Sequence, residues 1–197
     1  MYVPNHFRVE DVEKTWAFIE SNAFGQIISS AEGKLFSTHM PFLVDRNRST
    51  LIGHFAKTNP HWIELDGQQV LVSLQGAHGY ISPSWYKESG VPTWNYQAAH
   101  ITGIARTFRD ETQLKQLVDK LTEIYEAGSE NPWLPPDYNS SMLKGIVGVE
   151  VEITDIQCKF KLNQNRSVED REKVIEELEK KKGAHPLAQA MRDHSFD

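Results

Sequence analysis

The stretch VGVEVEITDIQCKFKL, residues 147–162, alternates apolar and polar side chains along most of its length. Successive side chains of a β-strand point to opposite faces, so the pattern predicts one long strand. The other apolar runs are short and are separated by turn material such as AEGK, DRNRS and DGQQ. The chain is therefore expected to consist mainly of β-strands joined by tight turns.

The remaining elements follow from the same reading. Further strands are predicted at 26–30, 34–45, 49–56, 68–76, 78–82 and 96–110. Helices are predicted at 11–22, after the cap Asp110, and after Ser167. About seven short strands with one central helix favour antiparallel hairpins closed into a barrel, with helices outside, over a parallel α/β sheet.

The chain length of 197 residues suits one domain with an appendage. We expect a barrel domain over residues 1–165 and a C-terminal helical extension over residues 166–197. Hydrophobic residues make up 39% of the chain, which argues against wholesale disorder. The formal net charge of −6 argues against a broad, sequence-independent grip on nucleic acid, because that needs a basic face.

The compartment is predicted from what the sequence lacks. The single cysteine, Cys158, rules out an intramolecular disulfide, which suits a reducing cytoplasm. The first residues carry no signal-peptide pattern, and no apolar run approaches the ~20 residues that cross a bilayer. Cys158 lies in the alternating run and is expected to be structural. We predict a cytoplasmic protein without membrane association.

Standard catalytic and metal-binding motifs are missing from the sequence. It contains no GxSxG, HExxH, CxxC, GxGxxG or phosphate-binding GK[ST] motif. None of the eight histidines has zinc-ligand spacing with a second histidine or with the cysteine. We therefore predict neither a metal site nor catalytic residues.

The first unusual segment is GHFAKTNPHW, residues 53–62. Lys57 stands where a strand is expected to end, beside a threonine and an asparagine. Asn59 can cap a following helical turn with Pro60 at its first position. A lysine, a hydroxyl and free backbone N–H groups at a helix start would suit a phosphate group. The alternative is a capped surface turn with no ligand.

Two further segments carry aromatic or basic side chains. In VPTWNY, residues 91–96, the ring of Trp94 could stack on a planar ligand and Asn95 could bond its edge, or the loop could simply cover the barrel end. In KFKLNQNR, residues 159–166, three cations in a net-negative chain mark a local anion site, or else a solvated strand end. A ligand with a phosphate and a large flat ring system, such as flavin mononucleotide (FMN), would use all three segments.

The motifs HMPFLVD, GHFAKTNPHW, VPTWNY with a following H-x-x-G, and KFKLNQNRSVEDR occur in an order that resembles the PaiB family. That family comprises FMN-binding negative transcriptional regulators linked in bacilli to protease production and sporulation. The resemblance covers nearly the whole chain. It implies an FMN-binding split barrel, as in pyridoxamine-phosphate oxidases, and a homodimer with FMN bound between the subunits.

The resemblance also implies candidate cofactor-binding residues. One strand of such barrels runs along the edge of the flavin ring, and the next ends in a basic turn that holds the phosphate. The candidates are, in chain order, His39, Met40, Pro41, His54, Ala56, Lys57, Lys161, Gln164 and Arg166, beside Trp94 and Asn95. The chain departs from the oxidases because it has Lys57 alone where they have paired arginine and lysine.

The regulatory role rests on the family resemblance. The sequence shows no helix-turn-helix and no basic recognition helix, so DNA is a partner by family name only. The alternative is an enzyme, either a flavin-dependent oxidoreductase such as a flavin reductase, or a haem-handling relative. His39, His54, His78 and His100 keep that alternative open.

Overall fold

The computed structural model describes residues 1–31, 33–87, 90–133, 140–180 and 185–194. These residues form a mainly β fold, as predicted. The strands are β1 Phe24–Ala31, β2 Lys34–Pro41, β3 Leu43–Asp45, β4 Thr50–Ala56, β5 Gln69–Ile81, β6 Thr93–Phe108 and β7 Ile146–Lys161. The helices are α1 Val12–Ser21, α2 Glu111–Glu126, α3 Ser140–Leu143, α4 Val168–Glu179 and α5 Pro186–Asp193, with short 3₁₀ turns at Asn5–Phe7, Pro60–Trp62 and Pro83–Trp85.

The chain forms two compact units. Unit 1 comprises Met1–Phe18, Gln75–Ala99 and Gln157–Asp197, and unit 2 comprises Ile19–Leu74 and His100–Ile156. Strands β5, β6 and β7 each contribute residues to both. The division into 1–165 and 166–197 remains a prediction, and residues 181–184 and 195–197 of that extension lie outside the described residues.

Unit 2 contains residues of all seven strands, whose order in the sheet is β2-β1-β5-β6-β7-β4-β3. The two edge strands, β2 and β3, are consecutive in the chain and are separated only by Phe42. The sheet must therefore curl until its edges meet. Gly53 of β4 shows the approach, because a Cβ there would lie 2.7 Å from Met40 Sδ of β2. The pairs whose register is described are antiparallel, and the result is the predicted split barrel.

Apolar side chains fill the barrel of unit 2. Alternate residues of each strand point inward, and the fully buried ones include Ile27, Leu51, Phe55, Val72, Leu74, Ile101, Val147, Val149 and Val151. Burial of each such side chain contributes roughly 1.5–3 kcal/mol. Helix α2 begins after Asp110, whose carboxylate accepts a hydrogen bond from Gln113 N at 2.9 Å, and it buries Leu114, Leu117 and Leu121.

Unit 1 contains the N-terminal segment, the second half of β5, the first half of β6, the end of β7, and helices α4 and α5. Phe18 meets Phe160 of β7 edge to face, with ring centroids 5.1 Å apart. Ser167 caps α4 by accepting a hydrogen bond from Asp170 N at 3.2 Å, as the sequence predicts. No helix in the described part of the chain is long and apolar enough to cross a membrane.

The largest errors in the predicted element boundaries occur at three places. The run 34–45 is two strands, because the chain turns inward at Phe42, which is only 2% exposed. The runs 68–76 and 78–82 are one strand, β5, since Ala77 is an ordinary strand residue. Strand β6 begins at Thr93 rather than at 96, so Trp94 belongs to a strand and not to a loop.

Candidate functional site

The Lys57 turn, defined as residues 57–62, follows the last residue of β4 in unit 2. Asn59 caps the 3₁₀ turn Pro60–Trp62, because its Oδ1 accepts a hydrogen bond from His61 N at 3.0 Å. Trp62 Nε1 donates to Lys57 O at 2.9 Å and so closes the turn on itself. The sequence correctly predicts this capped turn after a strand.

Lys57 and Thr58 are the open part of this turn. Both are exposed, and neither the Lys57 ammonium nor the Thr58 hydroxyl has a polar partner among the described residues. Lys57 N donates to Gly145 O at 2.8 Å, and Asn59 N donates to Ala56 O at 2.9 Å. The turn therefore offers one cation, one hydroxyl and the Thr58 N–H, fewer backbone donors than the sequence suggests.

Arg109 adds a second cation close to this turn. Its guanidinium carbon lies 4.5 Å from the centroid of the Trp62 ring, the same ring whose Nε1 is bonded to Lys57 O. Stacking uses one face of the guanidinium and leaves its N–H edge free. Arg109 is exposed and forms no ion pair with the described residues.

His61 fixes the inner side of the turn. Its Nε2 lies 2.9 Å from Ser29 Oγ and its Nδ1 lies 2.8 Å from Thr38 Oγ1. The imidazole also packs against the rings of Phe36 and Phe55. It is 3% exposed, and burial lowers its pKa, so it is neutral near pH 7. Both nitrogens are engaged by hydroxyls of the barrel, so His61 anchors the turn rather than meeting a ligand.

The predicted ring-edge residues of β2 have different environments. His39 is exposed and stacks on Phe24, with centroids 6.2 Å apart and planes at 25°. Met40 is 3% exposed and lies against Gly53, so its side chain belongs to the barrel. Pro41 is half-buried beside the same glycine. Of the three side chains, that of His39 alone stands open to solvent.

His54 and Ala56 lie at the end of β4, paired with Gly148 and Ile146 of β7. Ala56 is exposed. His54 is half-buried, and burial lowers its pKa. Its Nδ1 is buried with no hydrogen-bond partner in the described part of the chain. A buried polar atom left unpaired costs about 1–3 kcal/mol, so the position of this imidazole is not explained by its own hydrogen bonds.

In unit 1, three aromatic side chains form an exposed cluster on β5 and β6, here called the Trp94 cluster: His78, Tyr80 and Trp94. The rings of His78 and Trp94 stack with centroids 5.9 Å apart, and Trp94 Nε1 donates to His78 Nδ1 at 3.3 Å. Tyr80 is 45% exposed and Trp94 is 49% exposed. The cluster offers exposed ring faces to which an aromatic ring system could bind.

Asn95 points the opposite way from Trp94, as successive strand residues must. It is fully buried, and its Nδ2 lies 3.8 Å from Met191 Sδ of α5. Its Oδ1 has no hydrogen-bond partner among the described residues. The amide therefore lies inside unit 1, so Trp94 and Asn95 do not share one surface.

The basic side chains at the end of β7 and just after it, in unit 1, have different surroundings. Lys161 Nζ donates to Thr93 Oγ1 and, at 2.7 Å, to Trp94 O. Its pKa is lowered, first by burial and then by the charge of Lys159. Arg166 stacks on the ring of Tyr86 at 4.5 Å and has no polar side-chain partner among the described residues.

Gln164 and Lys159 are used inside unit 1. Gln164 closes the strand end: its Nε2 donates to Phe160 O, and its Oε1 accepts from Leu162 N at 2.7 Å. Lys159 is 7% exposed and donates to Tyr2 O at 3.1 Å. Aromatic rings surround its ammonium, with centroids at 5.1–6.0 Å; they belong to Tyr2, Phe7 and Tyr96. The strand end is therefore not the solvated surface that the sequence leaves open.

Metal and thiol chemistry find no support in the described residues. Within them no three metal-ligating side chains come together. Cys158 is buried, and burial raises the pKa of its thiol to about 11, so it stays protonated at neutral pH. This agrees with the structural role predicted for it.

Comparison with known proteins identifies the family. Residues 1–155 match the family model described as "Putative FMN-binding domain". The chain is 40% identical over 98% of its length to the Bacillus subtilis protein named "Protease synthase and sporulation protein PAI 2", of which it covers 97%. The chain belongs to this FMN-binding-domain family. These two matches confirm the resemblance to the PaiB family that the sequence motifs indicate.

Solved structures share the fold at low sequence identity. A flavocytochrome from Azotobacter vinelandii matches with a TM-score of 0.65 and 14% identity, covering 81% of this chain and 72% of its own. The FAD- and haem-binding protein from Mycobacterium smegmatis matches with a TM-score of 0.64 and 14% identity, covering 78% of this chain and 73% of its own. These similarities show that the chain has a split-barrel fold, and they show nothing beyond the fold.

Sequence reasoning misses Arg109 and Tyr80, and it names His78 only for the enzyme alternative. Arg109 lies far along the chain from Lys57, and only the stacking on Trp62 brings them together. His78 and Tyr80 join Trp94 because β5 and β6 are neighbours in the sheet. The alternation of HGYIS could have suggested that His78 and Tyr80 share a face.

Proposed function

We propose that this protein binds FMN and that the Lys57 turn of unit 2 holds the phosphate group. The observation that carries the proposal is an exposed ammonium beside an exposed hydroxyl, neither with a polar partner among the described residues, in a member of the FMN-binding-domain family. A phosphate dianion needs charge-assisted hydrogen bonds. Arg109, held on Trp62, supplies the second cation that the sequence alone does not reveal.

The Trp94 cluster of unit 1 is our candidate for stacking on a flat ring. The indole ring of Trp94 and the phenol ring of Tyr80 are exposed, and Lys161 Nζ donates a hydrogen bond to the backbone carbonyl of Trp94. His39 remains a candidate for a ring-edge contact in unit 2, supported by its exposure beside Phe24. Met40, Gln164 and Asn95 are weaker candidates, because their side chains are occupied within their own units.

We further propose a homodimer that acts as a negative transcriptional regulator in the cytoplasm. Exposed apolar residues occur in both units, among them Phe24, Leu35, Tyr80, Val91 and Trp94. A contiguous apolar surface is usually covered by a partner, so these residues are our candidates for the dimer interface. The regulatory role rests on the PaiB resemblance and on the name of the Bacillus relative. With a net charge of −6, DNA contact would require a local basic surface.

The test compares FMN with riboflavin, which has the same ring but no phosphate. Lys57→Ala should weaken FMN binding about 10- to 100-fold, since charge-assisted bonds are worth roughly 1.5–3 kcal/mol each. Riboflavin binding should change less than about twofold. Equal losses for both ligands would show that Lys57 shapes the site without holding phosphate, and no flavin binding by the wild type would refute the whole proposal.

Three simpler measurements address the other parts. Light scattering at micromolar concentration should give a dimer, and a monomer would remove any site that needs two subunits. FMN should quench tryptophan fluorescence in the wild type and much less in Trp94→Leu. Steady NAD(P)H consumption in the presence of FMN would favour the oxidoreductase, whose support is the exposed imidazoles of His39 and His78.

A further inference from the structure

A cleft in unit 2, separate from the Lys57 turn, lies between α2 and the outer face of β3 and β4. Its volume is about 180 Å³. Its apolar lining residues, which form the floor, are Leu43, Ile52, Phe108 and Leu117; the other six lining residues are polar or charged. Ile52 faces this side because its neighbours Leu51 and Gly53 point into the barrel. Helix α2 therefore covers this face of the barrel incompletely.

One charged pair is fixed at the mouth of the cleft. Arg48 NH2 donates to Glu150 Oε1 at 2.7 Å, and Arg48 N donates to Asp45 Oδ1 at 3.1 Å. All three residues line the cleft. Each carboxylate uses one oxygen in these bonds, so Asp45 Oδ2 and Glu150 Oε2, which have no partner among the described residues, can accept a hydrogen bond from a ligand.

The helix side of the mouth carries polar groups that are not used within the protein. Gln113, Gln116 and Lys120 lie on one face of α2, three to four residues apart, and all line the cleft. Neither the Lys120 ammonium nor the two side-chain amides have a polar partner among the described residues. An unpaired cation thus lies on the helix side and accepting carboxylate oxygens on the strand side.

We propose that this cleft binds a small zwitterion with an apolar tail, an α-amino acid of about the size of leucine. Its charged lining residues are Asp45, Arg48, Lys120 and Glu150, two of each sign, which matches a ligand of no net charge. The ligand carboxylate meets Lys120, its ammonium meets Asp45 and Glu150, and its side chain covers Ile52 and Phe108. The volume is below the roughly 300–1,000 Å³ typical of larger ligands.

The experiment titrates three compounds into the full chain by calorimetry: L-leucine, 4-methylpentanoate, which lacks the ammonium, and 3-methylbutylamine, which lacks the carboxylate. L-leucine should bind with a Kd on the order of 0.1–1 mM, and each analogue should bind more weakly. Lys120→Gln should weaken L-leucine and 4-methylpentanoate about 5- to 10-fold and leave the amine within about twofold.

The matched control is Lys34→Gln, which removes the same charge from an exposed position of β2. It should leave all three titrations unchanged. Ile52→Trp, which fills the floor, should abolish L-leucine binding; if it fails to fold, Lys120→Gln alone decides. No binding of L-leucine at about 10 mM, or equal effects of Lys120→Gln and Lys34→Gln, would overturn the proposal. FMN binding plays no part in it, so it stands or falls separately from the proposed function.

Discussion

Two segments of this chain carry cations at the end of a strand, and the structure uses them in opposite ways. At the Lys57 turn the ammonium is exposed and has no polar partner among the described residues. At residue 159 the ammonium is buried, is bonded to Tyr2 O, and is surrounded by aromatic rings. An exposed ammonium with unused donors can bind a ligand, whereas an ammonium enclosed by the protein's own groups stabilises the fold.

The largest expected effect belongs to the buried cation. Lys159→Ala should lower the free energy of unfolding by about 2–4 kcal/mol, because it removes a packed stem and the cation–π contacts. Urea unfolding followed by fluorescence measures it. Lys34→Ala should stay within about 0.5 kcal/mol. A loss as small as that of the control would mean that the aromatic surroundings of Lys159 contribute no stability.

The second effect concerns Arg109, whose position near the Lys57 turn is revealed only by the structure. Arg109→Ala should weaken FMN binding about 3- to 10-fold and leave riboflavin unchanged, because its free N–H edge is proposed to face the phosphate. Arg106→Ala is the matched control, since Arg106 is an exposed arginine of β6, three residues before Arg109. If the two variants lose equal affinity, the effect is one of general charge, and Arg109 has no particular role.

Arg166 is intermediate between the exposed Lys57 and the buried Lys159. Its guanidinium stacks on Tyr86, but its N–H donors have no polar partner among the described residues. Arg166→Ala should cost roughly 0.5–1 kcal/mol of stability from the lost stacking. If this strand end reaches a flavin phosphate, FMN affinity should also fall about 2- to 5-fold. Unchanged FMN affinity would restrict Arg166 to stacking. Gln164→Ala serves for comparison, and it should affect stability alone.

The smallest effect concerns the protonation of one histidine in unit 1, His194. The pKa of His194 is lowered, first by burial and then by the charges of Lys14 and Arg171. The unfolded chain therefore takes up this proton as pH falls through about 6.5, before the folded chain does, and stability is lost below that pH. Unfolding free energies at pH 7.5 and 5.5 should differ less in His194→Asn than in the wild type.

The sequence predicts the strands, the caps and the family, because each depends on local periodicity and short motifs. The Asn59 cap of the Lys57 turn and the Asp110 cap of α2 follow from residues only two or three positions apart. It cannot predict whether a cation is open or enclosed. Lys159 is buried by Tyr2 and Tyr96, which come from distant parts of the chain. Arg109 and Trp62 are likewise brought together only by the fold.

The single residue between β2 and β3 has a consequence for how the barrel can form and fail. Because Phe42 joins the two edges of the sheet, closing the barrel does not require a long loop to find its end, so this step costs little chain entropy. The same link couples the two registers: if β2 slips by one residue against β1, β3 is pulled along β4 by about 3.3 Å. Slippage at one edge is therefore resisted by the hydrogen bonds of the other.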